Sequence, residues 1–121
     1  MRTAIVRALI VLVLAATASL AAAHAFLDHA SPRVGSKVHG SPTEVVLSFT
    51  QELEPAFSTV RVTDRDGKAV DRGDKRVDPS DRSILRVSLQ PLAPGTYRVQ
   101  WRVLSADTHV TEGDYSFTVQ P

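Results

Sequence analysis

Residues 94–103, Pro94-Gly95-Thr96-Tyr97-Arg98-Val99-Gln100-Trp101-Arg102-Val103, decide the fold of this chain. Tyr97, Val99, Trp101 and Val103 alternate with Arg98, Gln100 and Arg102. A period of two puts the apolar set on one face of an extended chain and the polar set on the other. The spacing therefore predicts a strand with one wet face, and it places Trp101 in the core. The approach to this strand, Leu92-Ala93-Pro94-Gly95-Thr96-Tyr97, resembles a tyrosine corner, in which the phenol bonds back to nearby backbone.

The same alternation recurs on both sides. Val45, Leu47 and Phe49 alternate with Val46, Ser48 and Thr50, and Val60 and Val62 with Arg61 and Thr63. Leu85, Val87 and Leu89 alternate with Arg86 and Ser88, and Tyr115, Phe117 and Val119 with Asp114, Ser116 and Thr118. No stretch shows helical period. Ser31-Pro32, Ser41-Pro42, Asp66-Gly67 and Pro94-Gly95 punctuate the runs, with Asp66-Gly67 expected as the hairpin turn between Val62 and Val70. Short strands with regular punctuation predict an all-β domain, a Greek-key sandwich or barrel of two packed antiparallel sheets. The charged stretch from Asp71 to Asp81 reads as a surface loop.

The first 23 residues fall outside this pattern. Arg2 and Arg7 precede an apolar run from Ala8 to Leu20, and Ala21-Ala22-Ala23 supplies small residues for a signal peptidase. A run of this length is too short to span a bilayer comfortably. Residues 1–23 are thus expected to be a cleaved secretory signal peptide, leaving 24–121 as the working domain, exported to a periplasm or cell envelope. Loss of Arg2 and Arg7 leaves 12 basic residues against 13 acidic ones, so no basic surface suggests nucleic acid. The chain has no cysteine, and its one methionine is Met1. The mature domain therefore has neither a disulfide nor a sulfur ligand.

Cleavage after Ala23 would give His24 both a free α-amine and an imidazole, two nitrogens able to chelate one metal. An α-amine loses its proton near pH 7.7–8.0, roughly, so binding costs little near neutrality. The second candidate is Ser105-Ala106-Asp107-Thr108-His109. In extended backbone Asp107 and His109 point the same way. Amine, two imidazoles and a carboxylate suit Cu(II) or Ni(II) in tetragonal geometry, with copper favoured by the Irving–Williams order and zinc still compatible. An Asp-x-His on a loop is more often a solvated turn, so the pair gains meaning only if the fold brings residue 24 beside residue 109.

These stretches together resemble the CopC family of exported copper-binding proteins. The resemblance runs through His24-Ala25-Phe26-Leu27, Ser31-Pro32, Val46-Leu47-Ser48-Phe49-Thr50, Phe57-Ser58, Val62-Thr63, the 94–103 strand, Ser105 to His109, Gly113, and Tyr115 to Val119. It implies a cupredoxin-like or immunoglobulin-like sandwich. It implies one Cu(II) per monomer, held by the amine and ring of His24, the carboxylate of Asp107 and the ring of His109. It also implies copper resistance, buffering or import, with a CopD-like inner-membrane transport protein as partner and no enzymatic activity.

Two features depart from some members. The mature chain has no methionine, and thioethers are what select Cu(I), so a Cu(II)-only protein is expected. Gln51 also stands where members often carry an acid, so any orienting role there would be neutral.

Other residues read as structural. His29 is expected opposite His24, and His39 lies in a turn-like region. Asp64-Arg65-Asp66-Gly67 begins like a calcium loop but lacks the rest of that motif. Arg72-Gly73-Asp74 is too short to specify a ligand, and Glu52 and Glu54 read as surface acids. Two other functions fit parts of the sequence: a metal-free adhesive sandwich, and a copper-dependent oxidative enzyme. The latter would need a broad substrate face that 98 residues scarcely provide.

Overall fold

The computed structural model describes residues 24–121, and the expected signal peptide lies outside the described residues. Among the described residues, eight strands form two sheets. In chain order they are β1 (Leu27–Ser31), β2 (Lys37–His39), β3 (Glu44–Phe49), β4 (Thr59–Thr63), β5 (Arg76–Val77), β6 (Ile84–Ser88), β7 (Gly95–Leu104) and β8 (Val110–Gln120). One sheet has the order β1-β3-β6-β5 and the other β2-β8-β7-β4. All pairings are antiparallel except β2 with β8, which is parallel and departs from the expected all-antiparallel pattern.

The alternation read from sequence is the inward face of each strand. Val45, Leu47, Val62, Leu85, Val87, Val99, Val103 and Phe117 are almost wholly buried, where the inner faces of the two sheets supply the core. The longest ladder joins β7 to β8 from Gly95↔Val119 to Leu104↔Val110. Its outer face is polar and carries the cross-strand ion pair Arg102–Glu112 and the pair Arg98–Asp114 at 2.9 Å.

Three local expectations hold. The Tyr97 hydroxyl donates to the Ala93 carbonyl at 2.5 Å, closing a tyrosine corner. Residues 63–69 form a tight turn with Gly67 at φ +81°, a left-handed conformation that costs glycine little. The Asp64 carboxylate accepts from the amides of Asp66 and Lys68 within that turn and acts as backbone support.

Two expectations need correction. Trp101 is only partly buried: its indole meets Phe49 edge-on at 6.2 Å and lies over Gly113, its cross-strand partner. Residues 71–81 are more than a loop. Arg76–Val77 add a fourth strand to the first sheet, and Asp71 bridges Leu89 while its carboxylate accepts from the Val62 amide on the other sheet. Asp74 and Asp78 tie the segment to β6, accepting from Ser88 N at 2.8 Å and Arg86 Nε at 3.1 Å, long-range bonds that the local sequence does not reveal.

Candidate metal centre

Three segments converge at one end of the sandwich. Antiparallel pairing of β1 with β3 sets Leu27 opposite Phe49, so the start of β1 lies beside the end of β3. The chain then continues past β3 to meet the end of β7. Ala106 N donates to Glu52 O at 3.0 Å, Leu53 bridges Ser105, and Glu54 N donates to Leu104 O at 2.8 Å. The β7–β8 turn, 105–109, therefore sits beside both the 50–54 link and the N-terminal tract.

Ser105 organises that turn. It is buried, its amide donates to His109 O at 3.0 Å, and its carbonyl accepts from Thr108 N at 2.9 Å. Its hydroxyl oxygen accepts from His109 N at 3.3 Å. Thr108 takes φ +68°, so Asp107 to His109 is a tight turn and not the extended stretch that the spacing suggested. Sequence reasoning gave Ser105 no role, because nothing local marks a serine that holds a turn from beneath.

The N-terminal tract is held equally closely. Thr50 N donates to Phe26 O at 2.9 Å, and Phe26 N donates to Thr50 Oγ1 at 3.0 Å. The Thr50 hydroxyl donates to His24 O at 3.3 Å, the Thr111 hydroxyl donates to Ala25 O at 2.6 Å, and Ala25 is fully buried.

The outcome is that the rings of His24 and His109 face one another, with centroids 4.7 Å apart and planes at 51°. Phe26 flanks His24 at 5.8 Å. The Nδ1 of His109 is buried and finds no hydrogen-bond partner among the described residues. A buried, unpartnered imidazole nitrogen is costly unless something binds it. On a ring beside a second imidazole, it is chemically suited to a borderline metal ion.

Asp107 lies on the exposed turn, and its carboxylate makes no hydrogen bond or ion pair among the described residues. No group of three His, Cys, Asp or Glu side chains gathers at metal-binding spacing among the described residues, so the two rings meet without it. His29 is exposed and pairs with Asp28 at 3.0 Å, and His39 is exposed on β2. Glu52 is exposed and Glu54 half-buried on either side of buried Leu53, as surface acids would be. Asp74 of the Arg72-Gly73-Asp74 triplet is occupied, accepting from Ser88 N at 2.8 Å.

The described residues thus form a small all-β sandwich of eight strands with two histidine rings apposed at one end. The CopC domain model matches residues 27–120, and the chain belongs to the CopC family. It is similar to CopC from Methylosinus trichosporium OB3b, with 41% identity and a TM-score of 0.76 over 81% of this chain and 95% of that one. It is also similar to PcoC, a methionine-rich copper resistance protein from Escherichia coli, with 33% identity and a TM-score of 0.68 over 81% of this chain and 100% of that one. Copper resistance protein C of Xanthomonas campestris pv. juglandis is 34% identical over 92% of each chain. The family's members are copper-binding and copper-resistance proteins rather than enzymes.

Proposed function

We propose that this chain is an exported Cu(II) carrier. It captures one copper ion per monomer at His24, Asp107 and His109, and it buffers or passes on that ion as cargo. The observation that carries the reading is the 4.7 Å approach of the His24 and His109 rings beside the unpartnered Nδ1 of His109, in a member of the CopC family. Membership of that family supports copper as the ion.

Removal of residues 1–23 completes the donor set. While a residue precedes His24, its nitrogen belongs to a peptide bond and cannot ligate as an amine. Cleavage after Ala23 turns that nitrogen into a donor on the residue whose ring already faces His109. Capture is thereby coupled to export into the periplasm. Asp107 then closes on the ion from its exposed turn.

Cu(II) is favoured because every donor is nitrogen or oxygen. PcoC is methionine-rich, whereas this chain has only Met1, so a reduced ion would be held poorly. Reduction, or transfer to a CopD-like membrane transport protein, would release the cargo. The protein acts as a monomer.

Titration of Cu(II) into protein beginning at His24, beside protein with one alanine added before it, tests the reading. A tight one-to-one tetragonal EPR signal with nitrogen coupling, lost or much weakened by the added alanine, is expected. Equal weak binding by both forms would remove His24 from the site.

A further inference from the structure

We infer that Thr50 and Thr111 are positioning residues for the N-terminal histidine: their hydroxyls clamp the backbone of residues 24–26 across both sheets and hold the His24 ring against His109. The metal consequence of this clamp rests on the copper reading above; its geometry does not.

The β1–β3 ladder begins at Leu27, so the three residues before it are outside regular pairing. A free chain end of this kind ordinarily frays. Here each of the three is tied. The Thr50 hydroxyl works in both directions, accepting from Phe26 N at 3.0 Å and donating to His24 O at 3.3 Å. The Thr111 hydroxyl donates to Ala25 O at 2.6 Å. Ala25 is fully buried between these bonds and acts as a plug.

Thr50 directly follows β3 in the first sheet, and Thr111 lies in β8 of the second. The tract is thus pinned to both layers. Thr111 is also two residues beyond His109, so one stretch of chain supplies both the second ring and the clamp. With the backbone fixed on folding, His24 needs to order only its side chain and amine when an ion arrives. Preorganised ligands bind more tightly because their ordering cost falls outside the binding step. Ala25 adds a size rule: a larger side chain at this buried position would lift the tract and separate the rings.

The test uses protein beginning at His24, as wild type, Thr50→Val, Thr111→Val and Thr111→Ser. Valine keeps the shape of threonine and removes the hydroxyl; serine keeps the hydroxyl. In the metal-free proteins, proton NMR should show contacts between the His24 and His109 rings in wild type and Thr111→Ser. Those contacts should be lost in the valine variants. Cu(II) affinity in the valine variants should fall roughly 10–100-fold, the range expected for a group that orients a ligand. Their EPR spectra should shift, and Thr111→Ser should restore both readouts.

Ring contacts that persist in both valine variants would overturn the clamp, whatever copper does. A wild type that shows the contacts but binds no copper would overturn the copper reading and leave the clamp standing. One measurement needs no variant. The Phe26 amide of wild type should be protected from hydrogen exchange, and exchange at the rate of an unstructured chain would overturn the proposal.

Discussion

His24 and His109 meet ring to ring at 4.7 Å although one precedes the first strand and the other precedes the last. The contact depends on the β1–β3 and β7–β8 pairings ending at the same pole of the sandwich. Loops at one end of a rigid β-sandwich are where such proteins commonly carry function, and here the tract that precedes β1 joins them.

Removing the second ring should abolish tight capture. His109→Ala is expected to weaken Cu(II) binding by more than the roughly 100-fold that loss of an orienting partner costs. Asp107→Asn should cost less, since its carboxylate lies on the exposed turn. Competition titration against a chelator of known affinity measures both. Unchanged affinity in His109→Ala would sink the site.

Reductant should release the metal. With no thiol or thioether in residues 24–121, a cuprous ion has no soft donor. Ascorbate under argon should transfer the copper to a Cu(I)-specific chelator. Retention of copper after complete reduction would contradict a Cu(II)-only site.

Tyr97→Phe should destabilise the fold by about 1–3 kcal/mol, because it leaves the Ala93 carbonyl without its donor in a part-buried setting. Copper affinity should not change, since the tyrosine corner closes the start of β7 and the proposed copper site lies at its end. A urea midpoint equal to that of wild type would show the corner to be dispensable.

Gly113→Ala tests the Trp101 contact. A methyl at residue 113 would collide with the indole, so the ring must move at a cost of about 1–3 kcal/mol, as overpacking ordinarily costs. Trp101 is the one tryptophan, so its fluorescence reports the shift directly. An unchanged spectrum and midpoint would mean that the indole yields freely.

Acid should act through the 71–81 segment. Hydrogen bonds from Ser80, then from Arg86, hold the Asp78 carboxyl down at about 2 from an ordinary 3.8. Bonds from Ser88 lower Asp74, and bonds from Ser83 lower Asp81. A carboxyl depressed in the folded state contributes stability that is complete above its unfolded value and is lost as pH falls through the folded one. Stability should therefore decline between about pH 4 and pH 2 by this route. Asp78→Asn should flatten part of that decline in urea titrations across the window. A decline as steep as in wild type would assign it to other groups.

The sequence by itself determined the sandwich. Alternating apolar residues in β3, β4, β6, β7 and β8 each admit one inward face, and a one-residue slip would expose the whole set. Tyr97 and Asp66-Gly67 carried their structures in local spacing, and the family resemblance was legible in the residues from Gly95 to His109. The strand at Arg76–Val77 was not, because its pairing depends on the partner edge of β6 and on carboxylates that meet backbone donors only after folding. The partial exposure of Trp101 likewise depends on a cross-strand glycine. At the candidate site, His24 and His109 were nameable from chemistry, but their meeting was decided by long-range pairing. The roles of Ser105, Thr50 and Thr111 exist only in three dimensions. A threonine hydroxyl that bonds to backbone far along the chain leaves no periodic trace in the sequence, because its partner is set by how the sheets close on each other.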